Sequence, residues 1–364
     1  MRVNAGHLFT GLVLVCVVGL AIQIHWVRTR QAATKTETVP TETVPPHVES
    51  VREPEGEPTP EAESLVLPDV ATRSPSRPQP IYFRSTAVDA HYGHLAFITD
   101  FTRQNRQFVD GFTCEVVHVA GGRGICLTAD RGVVTTYAAE LFDADFRRRS
   151  TLQLRGVPSR SRVSPDGKLA GLTVFVNGHS YTSLDFSTET LLLDTTTGTI
   201  LANVESFAVT LGGQPFRAQD FNFWGVTFTP DSQHFYCTLS SNRKHYLVEA
   251  DIATRTASVI HENVECPSVS PDGTRIAYKK RFVVDGRIVW QLHVLDLKTM
   301  QETSLGEQRS VDDQLEWLDN DHVLYALPQN SVGSSAGTDV WQLRTTGEQP
   351  RLFLSNAYSA AVAR

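Results

Sequence analysis

The sequence predicts an all-β fold, a six-bladed β-propeller with seven blades as the alternative count, preceded by one N-terminal transmembrane helix and a disordered linker. Three observations predict it. Short β-type runs bounded by turn residues fill residues 81 to 364, and no stretch there keeps an apolar period of 3.6 with caps, so helix is nearly absent. One turn recurs, as Arg162-Val163-Ser164-Pro165-Asp166-Gly167, Thr229-Pro230-Asp231-Ser232 and Ser268-Val269-Ser270-Pro271-Asp272-Gly273. The copies return at roughly forty-residue intervals, the length of a blade of a few strands.

The whole-chain net charge of −7 conceals three segments. Residues 1–7 are a short N-terminal segment, and Leu8 to Ile24 is a nearly unbroken apolar run of 17 residues followed by Trp26, Arg28 and Arg30. Residues 8–27 therefore read as a transmembrane signal-anchor with an interfacial tryptophan. A cleaved signal peptide is the alternative, although no small-x-small site follows closely. Charge counting alone does not orient the helix, because Arg28, Arg30 and Lys35 outnumber Arg2 and the amino terminus. Residues 28–80 form the linker: the stretch 36 to 80 holds ten of the 18 prolines, eight glutamates and a tandem Thr-Glu-Thr-Val-Pro repeat. Such a chain cannot bury enough apolar surface to offset its ordering entropy, and it reads as an extended, acidic stalk. Residues 81–364 carry a net of −5, without the basic excess that would neutralise phosphates, so nucleic acid is excluded as a partner.

Within 81–364 each turn has a physical reading. Proline pre-sets the first corner, aspartate hydrogen-bonds back to the turn, and glycine takes the positive φ that closes a hairpin. The strands that follow are Leu169 to Phe175, His234 to Leu239 and Thr274 to Lys279. A degenerate copy, Trp317-Leu318-Asp319-Asn320, precedes His322 to Leu327, with Asn320 able to adopt a left-handed conformation. Weaker copies are Ala120-Gly121-Gly122 before Gly124 to Thr128, and Asp89 to Gly93 before His94 to Ile98. Turn positions near 91, 121, 165, 230, 271 and 318 give spacings of 30, 44, 65, 41 and 47, the longest implying an insertion. Innermost strands are expected to be apolar on both faces, as Leu292 to Leu297 and Val323 to Leu327 are. Ala357 to Val362 is expected to close the ring against Ile81 to Arg84 and so protect an open edge.

Ser-Pro-Asp-Gly before a short apolar strand, and then Val294-Leu295-Asp296-Leu297-Lys298-Thr299, resembles the repeat of the TolB-like, WD40-like (PD40-type) propellers. The phrases Gly178-His179-Ser180-Tyr181, Asn222 to Phe228, Asn263-Val264-Glu265-Cys266-Pro267 and Val311-Asp312-Asp313-Gln314 resemble actinobacterial membrane-anchored or secreted TolB-like translocation proteins. The resemblance spans 81–364 and implies a six-bladed propeller outside the cytoplasm, with little chemistry. The chain departs from TolB itself in lacking a recognisable α/β domain before the propeller, so binding to a peptidoglycan-associated lipoprotein is not carried over.

Cys114 and Cys126 flank the Gly121 to Gly124 turn at nearly symmetrical offsets, which favours a cross-strand disulfide; Cys237 and Cys266 would then be the second pair, although four cysteines allow three pairings. No closely spaced cysteine pair points to a metal, and His91 and His94 fall in a turn leading into a strand, so no metal and no cofactor is expected. Gly333-Ser334-Ser335-Ala336-Gly337 matches a hydrolase elbow, but a strand, Asp339 to Leu343, follows where the elbow needs a helix. Gly121 to Gly124 likewise lacks the helix that would make it a phosphate loop. Trp224, Trp290, Trp317 and Trp341 come about once per blade, as inter-blade packing requires. Asp312, Asp313 and Glu316 could place carboxylates at a propeller mouth or satisfy backbone donors near the channel. His179, Ser180 and Tyr181 are the candidate partner-contact loop. The function these features predict is non-catalytic: a single-pass, membrane-tethered extracytoplasmic propeller that binds a protein, peptide or cell-envelope ligand through its loops. The alternative is a propeller enzyme, lactonase-, lyase- or hydrolase-like, whose side chains converge in the central channel.

Overall fold

The computed structural model describes residues 79–100, 105–182, 186–329 and 337–364. The predicted membrane helix and almost all of the linker lie outside the described residues, as do residues 333–336 of the elbow-like motif. Among the described residues no helix is long and apolar enough to cross a membrane. The strands, in chain order, are β1 (Ile81–Ser85), β2 (His94–Ile98), β3 (Gln107–Thr113), β4 (Val116–Ala120), β5 (Arg123–Arg131), β6 (Thr135–Asp143), β7 (Arg148–Leu154), β8 (Val157–Val163), β9 (Leu169–Asn177), β10 (Ser187–Asp194), β11 (Ile200–Asn203), β12 (Ala208–Leu211) and β13 (Gln214–Phe216). The second half continues with β14 (Asn222–Phe228), β15 (His234–Ser241), β16 (Lys244–Asp251), β17 (Thr256–Glu262), β18 (Glu265–Val269), β19 (Arg275–Val284), β20 (Arg287–Asp296), β21 (Glu302–Ser304), β22 (Glu316–Trp317), β23 (His322–Pro328), β24 (Thr338–Arg344), β25 (Arg351–Leu354) and β26 (Ala357–Val362).

These strands form six sheets, antiparallel except for one parallel pairing of β12 with β17, whose innermost members are β26, β4, β8, β14, β18 and β22. The molecule is a six-bladed β-propeller. Its first blade is closed between the two ends of the described chain: β26 pairs antiparallel with β1, Ile81 opposite Val362 and Ser85 opposite Ala357. That pairing removes the edge strand each end would otherwise leave open.

The recurring turn joins the first and second strands of five blades. In the copy after β8, the Ser164 hydroxyl donates to Asp166 Oδ1 at 2.7 Å, the Lys168 amide donates to the same oxygen at 3.0 Å, and Gly167 closes the turn at φ +74°. The copy after β18 repeats this with Ser270, Asp272 and Gly273. After β14, Ser232 takes the positive φ where the others have glycine. Neighbouring turns also meet: the Asp166 amide donates to Ser232 Oγ at 3.2 Å, and the Asp272 amide to Asn320 Oδ1 at 3.2 Å. Asn320 is not in a left-handed conformation; its side chain links two turns instead.

Three further expectations are corrected, and the expected insertion is located. The segment near position 91 joins the second and third strands of its blade, because the innermost strand comes from the C-terminal end; the 30-residue spacing is a difference of phase. Leu292 to Leu297 and Val323 to Leu327 belong to β20 and β23, third and second strands, which are covered on both faces by neighbouring blades. The innermost strands face the channel and carry charge there. The 65-residue interval holds the loop after β9 and an added hairpin, β12–β13, which extends the fourth blade by parallel pairing of β12 with β17. Cys114 and Cys126 are bonded, while Cys237 and Cys266 are free and buried. Thr238 Oγ1 accepts from the Cys266 amide at 2.9 Å, so Cys237, one residue earlier, points to the opposite face of β15 and packs with Phe223 and Phe235.

Candidate functional site: the two mouths of the channel

The innermost strands all begin at one mouth of the channel and end at the other. The first, here the loop mouth, is a cavity of about 310 Å³ lined by Val116, Ser159, Arg160, Tyr181, Asp312 and Tyr358, among others. The second, the turn mouth, is a cavity of about 250 Å³ lined by the ends of those strands and by Pro165, Pro230 and Pro271. Between them the channel narrows to about 20 Å³ beside Ser161, Asp313 and Gln314. That is room for about one water.

The alternation of β8 brings the charge in. Ser159 and Ser161 alternate with Arg160 and Arg162, so the two arginines, two residues apart, share a face. Arg162 sits at the turn mouth, where it bonds Glu316 and the Leu315 carbonyl and lies 3.0 Å from His118 Nε2. Burial lowers its pKa to about 9, a cost that Asp313 partly offsets. The Val163 amide donates to His118 Nδ1 at 3.0 Å, which places the proton of the neutral ring on Nε2, 3.7 Å from Glu316 Oε2. Burial, with Arg162 and Arg364 nearby, holds the His118 pKa well below its ordinary value. Arg364 bonds Glu316 at 3.2 Å and the Trp317 carbonyl, so the C-terminal residue closes over this mouth.

At the loop mouth Lys279 is fully buried, with its ammonium bonded to Asp312 and 4.2 Å from the centre of the Trp290 ring. Burial would expel its proton, but Asp312 together with its other negative neighbours, Glu265 among them, outweighs that and raises its pKa. Asp312 is driven the other way: burial raises it, while Lys279 and Arg160 together bring it below the ordinary carboxylate range. Glu265 is buried too, and accepts from Arg281 Nε at 2.6 Å and Trp290 Nε1 at 3.0 Å. Asp313 is buried, accepts the Ala326 amide at 2.9 Å and has a raised pKa, chiefly from burial.

Of the loop residues marked in the sequence, His179 and Ser180 line this cavity and keep solvent exposure. Tyr181 is buried rather than presented outward: it stacks on Trp224 at 4.8 Å and packs on Phe175 at 4.7 Å. Its hydroxyl and Ser159 Oγ are 2.5 Å apart, and its carbonyl accepts from Arg281 at 2.9 Å. The tyrosine is therefore the strut that holds the loop over the mouth. His91 stacks on Phe108 at 4.0 Å, and among the described residues no cluster of three His, Cys, Asp or Glu is arranged for a metal. Arg160, Arg162, Lys279, Glu265 and His118 were not marked from the sequence. For the two arginines the signal available was charge at alternate positions in β8, the strand just before a Ser-Pro-Asp-Gly turn.

Fold and mouths together define a six-bladed propeller whose channel is pinched into two charged cups. Its fold is that of the TolB-like propellers. TolB from Acinetobacter baumannii is similar at TM-score 0.55, with 16% identity over 79% of this chain and 67% of that one. A chain of a nidogen/laminin complex is similar at TM-score 0.52, with 8% identity over 79% of this chain and 98% of that one. No protein-family model matches the chain, and no curated protein does.

Proposed function

We propose that this chain is a membrane-tethered recognition module whose propeller, held outside the cytoplasm, binds a protein, peptide or envelope ligand at the loop mouth. The observation that carries this reading is the preformed cup of about 310 Å³ beneath the 178–182 loop. Its walls are fixed before any ligand arrives, by Tyr181 wedged between Phe175 and Trp224 and by the Lys279–Asp312 pair. A rigid cup loses little entropy on binding. The apolar run at 8–24 supports the tether. The Cys114–Cys126 disulfide supports an oxidising compartment.

The channel side chains favour binding over chemistry. Asp312 is engaged by Lys279, Glu316 by Arg162, Glu265 by Arg281 and Asp313 by a backbone amide. A general base needs a carboxylate or imidazole within reach of a substrate proton, and these are held by their partners. Similar folds occur within protein assemblies, the nidogen/laminin complex among them.

The test is affinity capture from envelope extracts with the full chain and with Ser180→Arg, which fills the cup from its rim. The variant should melt within a few degrees of the wild type and lose the principal captured species. Retention of the same species in the same amount would contradict the loop mouth as the binding site.

A further inference from the structure

The loop mouth contains a cation that the fold leaves under-bonded. Arg162 directs its two terminal nitrogens at Glu316, the Leu315 carbonyl and Ser268 Oγ. Arg160, on the same face of the same strand, is only 9% exposed and has far less. One terminal nitrogen donates to the Ser159 carbonyl at 2.9 Å, the other reaches Asp312 Oδ1 only at 3.4 Å, the guanidinium lies 5.4 Å from the Tyr181 ring centre, and Nε, like that of Arg162, has no hydrogen-bond partner among the described residues. A contact of 3.4 Å is at the weak end for a charged pair. The oxygen it reaches is also the one held by Lys279. One carboxylate thus serves two buried cations.

The other acid lining the cup is engaged elsewhere. Glu115 is bonded to Arg131 at 2.7 Å and lies 4.0 Å from Arg84. A buried guanidinium whose donors are only partly used is costly until acceptors are supplied. A guanidinium presents a planar fork that matches a carboxylate, and the Ser159 and Tyr181 hydroxyls lie beside it in the cup wall. The β5–β6 and β19–β20 hairpin tips and the end of β9 lie on this face, and they expose Val133, Val134, Val283, Val284 and Val176. Exposed apolar hairpin tips on the face that holds a charged cup match a peptide with a carboxylate among apolar neighbours.

We propose that the loop mouth is a carboxylate-binding subsite, in which Arg160 takes a peptide carboxylate, either a free C terminus or an Asp or Glu side chain, as the counter-charge that Asp312 only partly provides. This rests on the reading of the loop mouth as the recognition face and names the chemistry recognised there.

The experiment follows arginine Nε–H signals by NMR in the full-length chain at low salt, with three probes: N-acetylglycine, its amide N-acetylglycinamide, and N-acetylaspartic acid α-amide, whose only carboxylate is on the side chain. One or both acids should shift the Arg160 signal, and the neutral amide should not. A shift by the first acid alone assigns a C-terminal carboxylate, and by the third compound alone an acidic side chain. Arg160→Gln should weaken the acid response at least about tenfold, as expected for loss of a charge-assisted pair. Asp312→Asn supplies the independent arm: removing the internal competitor should tighten acid binding several-fold. Equal responses to acid and amide, no shift of Arg160, or Arg160→Gln or Asp312→Asn binding the acids as the wild type does would each overturn the proposal. Partner capture that survives Arg160→Gln while acid binding is lost would end the carboxylate assignment and leave the recognition reading intact.

Discussion

Burial favours the protonated form of Glu205 at neutral pH. The residue lies in the 3₁₀ turn Val204–Ser206 between β11 and β12, half-buried, and both carboxyl oxygens lie 3.0 Å from the Thr190 amide. Burial pushes its pKa up to about 8. The unfolded-chain value is about 4.3, so the folded state holds the proton more tightly, and the associated stability is complete below about pH 4 and lost as pH rises through 8. Glu205→Gln keeps an oxygen for Thr190 and removes the titration. Its melting temperature should therefore lose part of the decline that the wild type shows between pH 5 and 9; an unchanged slope would show that Glu205 does not titrate there. Single residues of this kind were the least legible part of the sequence. A glutamate in a loop and arginines two apart in a strand both read as solvated, and only the blade packed against each one reveals burial. Tyr181 departed in the same sense, because a tyrosine between two polar residues gave no sign of the aromatic pocket beneath it.

The turns were legible because their chemistry is local. Gly167 sits at φ +74°, and a Cβ there would lie 2.4 Å from the Gly121 carbonyl oxygen in the adjacent blade's turn. Gly122 has a similar φ of +71°, with nothing within 4 Å of its Cβ position. Gly122→Ala should thus cost only the left-handed backbone term, about 1 kcal/mol, whereas Gly167→Ala adds a backbone clash and should cost clearly more, roughly 2–4 kcal/mol. Urea denaturation of the pair measures the difference, and equal midpoints would deny the contact between turns. The disulfide links the segment before β4 to β5 across a separation of 12 residues. Replacing both cysteines by serine should cost about 2–4 kcal/mol by the same assay. What escaped sequence reading at this scale was non-local. The β12–β13 hairpin is held by parallel pairing to β17, with Ala208 opposite Thr256, and no local pattern announces a partner so far along the chain. The proposed second disulfide failed for a related reason: spacing does not say which face of β15 a cysteine occupies.

At the level of the whole molecule, the ring closes through β26, whose burial continues on both sides: Ala357, Ala361 and Val362 are buried, and Ser359 bonds both the amide and the carbonyl of Val117 in the next innermost strand. Removal of residues 357–364 exposes the β1 edge and opens the channel, and should abolish cooperative melting or lower the transition by well over the few degrees a surface change gives. Six blades were readable from the turns, but the phase of the first was not, since its innermost strand lies at the other end of the chain. The central claim concerns which mouth meets the partner, and site-specific photo-crosslinking tests it most directly. A crosslinking residue at Ser180, on the loop mouth, is compared in intact cells with one at Lys168, on the exposed turn face. The account predicts a discrete adduct from position 180, absent from position 168 and lost when the Ser180 probe is combined with Arg160→Gln. An adduct formed from position 168 and not from 180 would contradict it.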